Sequence, residues 1–172
     1  MLELRGDLMD NEALNELLRN PTGRDFWIVL WGDPERLPDE FPQVFDEPEI
    51  EHWFPMHPAS INVSDILFVH RIGVASLIFV AEVALEARQA TAEELAKDPR
   101  HKRWAWVVDT KNLTPTFGSH WRKHRLKTFA LSKEYNRLNP QERVKVGRLQ
   151  FGAPVRISQG FAKFLLGQII RL

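Results

Sequence analysis

Phe26-Trp27-Ile28-Val29-Leu30-Trp31-Gly32-Asp33-Pro34 is the stretch on which the fold turns. Its first six residues are aromatic and β-branched, and apolar on both faces, as in a strand covered from both sides. Period-two alternation puts Trp27 and Trp31 on one face, and Gly32-Asp33-Pro34 ends the strand. Upstream, Leu14, Leu17 and Leu18 form an i, i+3, i+4 stripe that predicts a short helix, with Asp10 or Asn11 as N-cap. Pro21-Thr22-Gly23 stops that helix. Downstream, Glu35 to Pro58 is rich in proline and acid and reads as mostly irregular, with one helical turn before Trp53.

Further out, Ile66–Ile72 and Leu77–Leu85 predict a strand pair joined around Gly73-Val74-Ala75-Ser76. In the first of these strands Ile66, Phe68 and His70 share one face, and Leu67, Val69 and Arg71 the other. Thr91-Ala92-Glu93-Glu94 has capping-box spacing, so 92–97 reads as a short helix ended by Asp98-Pro99. Trp104 to Asp109 reads as a strand, Phe129 to Leu138 as a helix, and Val144 to Phe151 as another strand. A helix from Ser158 closes the chain, with Phe161, Phe164, Leu165 and Ile169 on its apolar face. Five or six strands with short helices predict an α+β fold built on a small curved sheet or barrel. The 172 residues suit one domain, 1–172, with 1–23 as an N-terminal helical extension.

Composition narrows the chemistry. Cysteine is absent, which excludes disulfides, thiolate metal sites and a cysteine nucleophile. No apolar run approaches the ~20 residues of a membrane helix. The acidic, mixed N-terminus does not read as a signal peptide, so the expectation is a soluble, cytoplasmic protein without a membrane partner. Net charge is zero, with 23 acids against 23 bases, but the total conceals a gradient. Residues 1–60 carry 14 Asp/Glu and 4 Lys/Arg, residues 61–98 carry 6 and 3, and residues 99–172 carry 3 and 16. A partner feels the local field within a Debye length of about 8–10 Å, so a basic face can exist on a neutral protein.

Phosphate-loop, dinucleotide, zincin and nucleophile-elbow motifs are all missing. His52 and His57 stand in a proline-rich segment. His120 and His124 sit among Arg122, Lys123, Arg125 and Lys127, whose charge disfavours a cation. Neither a metal nor another cofactor is expected, and nothing points to catalysis.

Six tryptophans in 172 residues are many: Trp27 and Trp31 on the first strand, Trp53 after the acidic segment, Trp104 and Trp106 on a later strand, and Trp121 opening the basic run. On strands such residues usually pack; Trp53, in a loop, and Trp31, at a strand exit, have less reason to. The order of these features resembles the PUA-like superfamily, in particular its EVE and YTH domains. An aromatic strand runs into Gly32-Asp33-Pro34, and an isolated Trp53 follows. Then come Ile61-Asn62-Val63-Ser64-Asp65 leading into a strand pair, Arg103-Trp104-Ala105-Trp106-Val107-Val108-Asp109, and Gly152-Ala153-Pro154-Val155-Arg156-Ile157-Ser158 before a helix.

The resemblance spans about residues 24–172 and implies a small curved barrel that reads a modified base in an aromatic pocket, without catalysis. It implies a base pocket of Trp31, Gly32, Asp33, Trp53, Phe54 and Trp104. Trp53 would form one wall, and Trp104, Trp31 or Phe54 the other, because Glu86 to Lys102 holds no aromatic residue. His70-Arg71 also departs from the small polar residues of YTH domains. The expected partner is nucleic acid carrying a base such as a methylated adenine or cytosine, DNA rather than RNA, with the base flipped from the stack. Relatives that target modification-dependent restriction systems imply fusion to, or assembly with, a nuclease or NTPase effector. Phosphates would be held by Arg122, Lys123, Arg125, Lys127 and Arg148. The alternatives are an RNA-binding PUA-like module without modification specificity, or a protein–protein interaction domain using the acidic loop 33–51.

Overall fold

A computed structural model of the chain describes residues 2–32, 44–97 and 103–172, with side chains from residue 10 onward except at 150 and 151. Asp33, most of the proline-rich segment up to residue 43, and residues 98–102 lie outside the described residues.

The fold is α+β. Strand β1 (Phe26–Trp31) runs parallel to β3 (Ile66–Arg71) and antiparallel to the short β7 (Val155–Ile157). It is therefore paired on both edges, and Phe26 to Val29 are buried on both faces, as its two-faced apolar sequence requires. β3 pairs with β4 (Ser76–Val83), which continues to β6 (Trp106–Asn112), β2 (Glu49–Phe54) and, off the main path, β5 (Arg88–Gln89). The order β2-β6-β4-β3-β1-β7 is that of an open, mixed, seven-stranded sheet. The expected closed barrel is not formed, since β2 and β7 end the order. The sheet is nonetheless strongly curled. The Trp31 ring on β1 lies 5.5 Å from the His52 ring on β2, although three strands separate them in the sheet.

Helix α1 (Leu2–Arg19) is longer than its leucine stripe alone predicts and is built into the body. Leu14 is fully buried and Leu17 nearly so. The Asp10 carboxylate accepts from the Thr116 and Phe117 amides at 3.2 and 2.8 Å, which caps α3 (Pro115–Ser119). The predicted capping box is present at α2 (Ala92–Lys97). The Thr91 amide donates to Glu94 Oε2 at 2.7 Å, and the Glu94 amide donates to Thr91 Oγ1 at 3.2 Å. After α4 (Trp121–His124) come α5 (Thr128–Leu138) and α6 (Gln159–Ile170), whose Ser158 N-cap accepts from the Phe161 amide.

Two expectations are corrected. Residues 49–54 are a strand rather than a loop or helical turn. Ile50, His52 and Phe54 alternate with exposed Glu49 and Glu51, a period-two pattern paired along its whole length with β6. Conversely, Val144–Phe151 is no strand. Gly147–Phe151 is a 3-10 turn, in which buried Val146 and Leu149 are three apart, one turn of such a helix. Trp104 also falls just short of β6, which starts at Trp106.

Candidate nucleic-acid interface

The exit of β1 is where the predicted site residues meet. Because β1 and β3 are parallel, their C-terminal ends lie side by side, with Trp31 opposite Arg71. In open sheets this end of a parallel pair is a common place for ligands. The half-buried Trp31 ring is met edge-on by three others: Phe45 at 5.2 Å, His52 at 5.5 Å and Phe79 at 5.8 Å. Phe45 is fixed from both directions. Its amide donates to the Gly118 carbonyl at 3.0 Å, and its carbonyl accepts from Asn112 Nδ2 at 2.9 Å. Asn112 also donates to the Glu47 carbonyl, so one buried amide side chain holds the segment that backs Trp31.

Gly32 follows at φ +107°, a conformation that side chains with a Cβ rarely adopt. The Arg71 guanidinium lies so close over it that a β-carbon there would overlap the guanidinium nitrogen. Arg71 is only 8 % exposed. Burial pulls its pKa down, and the neighbouring positive charge of Arg122 adds to the effect.

His52 is likewise buried without a hydrogen-bond partner for either ring nitrogen among the described residues. It lies 4.7 Å from Phe54 and beside Trp31. Burial pushes its pKa down to about 4, against a weak opposing influence from the Leu30 carbonyl, so the ring is neutral. His70 points to the other face of β3, where Thr128 Oγ1 lies 2.7 Å from its Nδ1. Burial and then the Lys127 charge lower its pKa to about 4 as well.

The basic run folds back onto this same end of the sheet. The Leu126 carbonyl accepts from the Leu77 amide at 2.8 Å, and the Thr128 amide donates to the Ala75 carbonyl at 3.1 Å. Lys127 Nζ donates to the Val74 carbonyl in the β3–β4 turn. Arg125 takes a left-handed conformation at φ 50° and ends α4 by donating its amide to the Trp121 carbonyl. Trp121 is buried 6.5 Å from Phe45, and the Arg122 guanidinium stands 5.3 Å from the Trp121 ring centre. Arg122, Lys123, Arg125 and Lys127 are all exposed.

Of the expected pocket, Trp31, Gly32 and Phe54 are brought together, the last through His52. Strand alternation turns Trp53 to the face opposite His52 and Phe54. Trp104 is half-buried in the approach to β6, and Asp33 lies outside the described residues. Among the expected phosphate ligands, Arg148 is exposed on the separate 3-10 turn. Sequence reasoning missed two groups. In the sequence His52 stands five residues from His57 and next to Glu51, a histidine pair and a commonplace acid–base neighbour, although its alternation with Glu51 and Trp53 is there to be read. Arg71 enters the sequence reading on the Leu67 and Val69 face and as a departure from the YTH pattern; a charge at the close of an apolar strand is its one signal.

A cleft of about 1020 Å³ lies elsewhere, lined by Asp10, Glu49, Glu51, Asp109 and Lys111 among others. No described helix is long and apolar enough to cross a membrane. No protein-family model, curated protein or solved structure matches the chain.

Proposed function

We propose that this protein is a non-catalytic nucleic-acid-binding module that reads a modified base, with the exit of β1 as its base-accepting end. The observation that carries the reading is the convergence of four exposed cations, Arg122, Lys123, Arg125 and Lys127, on the rim that holds Trp31 and Gly32. Cations spread along a backbone supply affinity without sequence information, and a half-exposed indole supplies a stacking face. Stacking is worth roughly 1–3 kcal/mol per base and is indifferent to base identity. Preference for a methyl group must then come from the apolar wall beside it, where a fully buried methyl adds about 0.8 kcal/mol. Phe45 and Phe79 are buried edge-on against the Trp31 ring and hold it in place for that role. The curl of the sheet fits a small barrel-like reader, and modified DNA is the target we favour over RNA.

The test is binding of matched oligonucleotides, single- and double-stranded, with and without N6-methyladenine or 5-methylcytosine, across a salt series. The expected result is preference for one modified strand, with log Kobs falling linearly against log salt. Arg122→Gln with Lys123→Gln should flatten that slope by about 1.4–1.8. Trp31→Ala, in protein that still folds, should remove the preference for the modified base. No binding at 50 mM salt, or a slope that the double variant leaves unchanged, would overturn the reading.

One observation favours the alternative of a protein–protein contact through the acidic segment. The cleft includes Glu49 and Glu51 and is rimmed by exposed Leu85. If that reading holds, Glu49→Lys with Glu51→Lys should abolish partner binding while leaving oligonucleotide affinity intact or higher.

A further inference from the structure

We infer that the outer edge of β2 is a docking site for an extended basic segment of another protein, which joins the sheet there as an added strand. β2 ends the strand order and, among the described residues, is paired on one edge only, with β6. The register shows which backbone groups are left over. The Asn112 amide donates to the Pro48 carbonyl directly opposite it at 2.9 Å, which makes those two a hydrogen-bonded pair. In an antiparallel ladder such pairs alternate with non-bonded ones. Ile50, His52 and Phe54 therefore bond to β6, and the N–H and C=O groups of Glu49 and Glu51 point to the open edge. β6 has the complementary parity, since the Asp109 carbonyl accepts from the Ala84 amide on its other side. Glu49 and Glu51 are both exposed. A row of open-edge donors and acceptors is a template for another chain.

Charge selects the occupant. Asp46, Glu47, Glu49 and Glu51 are all exposed along this stretch. Across the ladder Glu49 faces Lys111, but Glu51 faces Asp109, and like charges directly opposite each other weaken a sheet. Arg88 stands 3.7 Å from each of those two carboxylates, while its hydrogen bonds, at 2.8 and 2.9 Å, go to Glu94. A lysine or arginine on an added strand brings the further cation that this face lacks. A second copy of β2 would instead set Glu49 and Glu51 against their own kind. The cleft of about 1020 Å³ gives the side chains room, since Glu49, Glu51 and Asp109 line it together with Pro48 and the exposed Leu85. The segment that fits alternates basic residues, on the face of Glu49 and Glu51, with apolar ones beside half-buried Ile50. Nothing in this docking surface depends on nucleic-acid binding.

The test uses the full chain and a short end-blocked peptide that alternates lysine and valine. Fluorescence anisotropy reads its affinity, and amide hydrogen exchange reads its place. The peptide should bind at low salt and slow the exchange of the Glu49 and Glu51 amides. A lysine–proline peptide of equal charge, which lacks the valine donors, should bind about tenfold more weakly and protect neither amide. Glu49→Gln with Glu51→Gln should weaken the lysine–valine peptide about five- to tenfold at 50 mM salt and about twofold or less at 0.5 M. Glu51→Pro removes an open-edge donor without removing a bond to β6, and should bind about fivefold more weakly than Glu51→Gln. Equal binding of the two peptides, or binding that leaves both amides exchanging as before, overturns the inference. So does a folded Glu51→Pro protein that binds as tightly as Glu51→Gln, or no binding of the lysine–valine peptide up to millimolar concentration. Should Glu51→Pro not fold, the exchange result on the wild-type protein decides alone. Protection that grows with protein concentration and needs no peptide would make the occupant a second copy, and overturns the choice of a basic partner.

Discussion

His52 and His70 are imidazoles that burial keeps neutral, one among aromatic rings and one against Thr128. Each has its pKa lowered from 6.5 to about 4. The unfolded chain therefore takes up protons at higher pH than the folded one, and the two groups stabilise the fold fully only above pH 6.5. That contribution is lost as pH falls from about 6.5 to 4, at roughly 3 kcal/mol per histidine over the window. Denaturant titrations at pH 7.5, 6, 5 and 4 should show a progressive fall with two protons taken up on unfolding. His52→Leu should remove one of those protons and leave stability at pH 7.5 equal or higher, because neither ring nitrogen makes a hydrogen bond of ordinary geometry in the described fold. Proton uptake unchanged in that variant would rule out this account.

At the scale of elements, one carboxylate fastens the parallel pair. Asp65, buried ahead of β3, accepts from the Asp25 and Asn62 amides at 2.9 Å and from the Trp27 indole at 3.1 Å. Asp65→Ala should cost about 3 kcal/mol or more, read as a shift in the denaturation midpoint. For α1, the test is Leu14→Ala. A loss of about 2–5 kcal/mol marks the helix as part of the core, and a negligible loss marks it as an appendage.

The elements legible in the sequence were those with local signatures. β1, β3 and β4 have apolar runs, α2 has a reciprocal capping box, and α6 has a serine cap and an apolar stripe. β2 was hidden because its composition is that of a loop, and its strand character rests on β6, more than fifty residues away. Val144–Phe151 misled for the opposite reason, since apolar residues three apart can pass for alternation when a charged residue lies between them. The site was legible as types of residue and not as an arrangement. That Trp53 and Phe54 face opposite ways follows from the strand. That Arg71 lies over the backbone of Gly32 follows from the pairing of β1 with β3. Neither is visible without the pairing.

Over the whole molecule, the described residues expose Glu49 and Glu51 on β2 and Arg122, Lys123, Arg125 and Lys127 beside the β3–β4 turn. On the proposed function, an oligonucleotide approaching the basic rim would also feel Glu49 and Glu51, exposed on β2. Glu49→Gln with Glu51→Gln should raise the association rate two- to threefold at low salt and leave it unchanged at 0.5 M, where screening acts within about 4 Å. An equal effect at both salts would mean the residues act by contact instead.

The parallel register of β1 and β3 also bears on the order of assembly. Trp31 and Arg71 are neighbours in space but 40 positions apart in sequence, whereas β3 and β4 are joined by a tight turn. Closing the longer loop costs roughly 3 kcal/mol of chain entropy before any contact offsets it. The hairpin can therefore nucleate, and the rim that would hold a ligand comes together late. Conservative changes at Trp31 should speed unfolding and leave folding rates almost untouched, with φ-values near zero against about 0.5 or more in β3 and β4. The binding end would then open before the rest of the fold, and a ligand bound there would lengthen the lifetime of the whole protein.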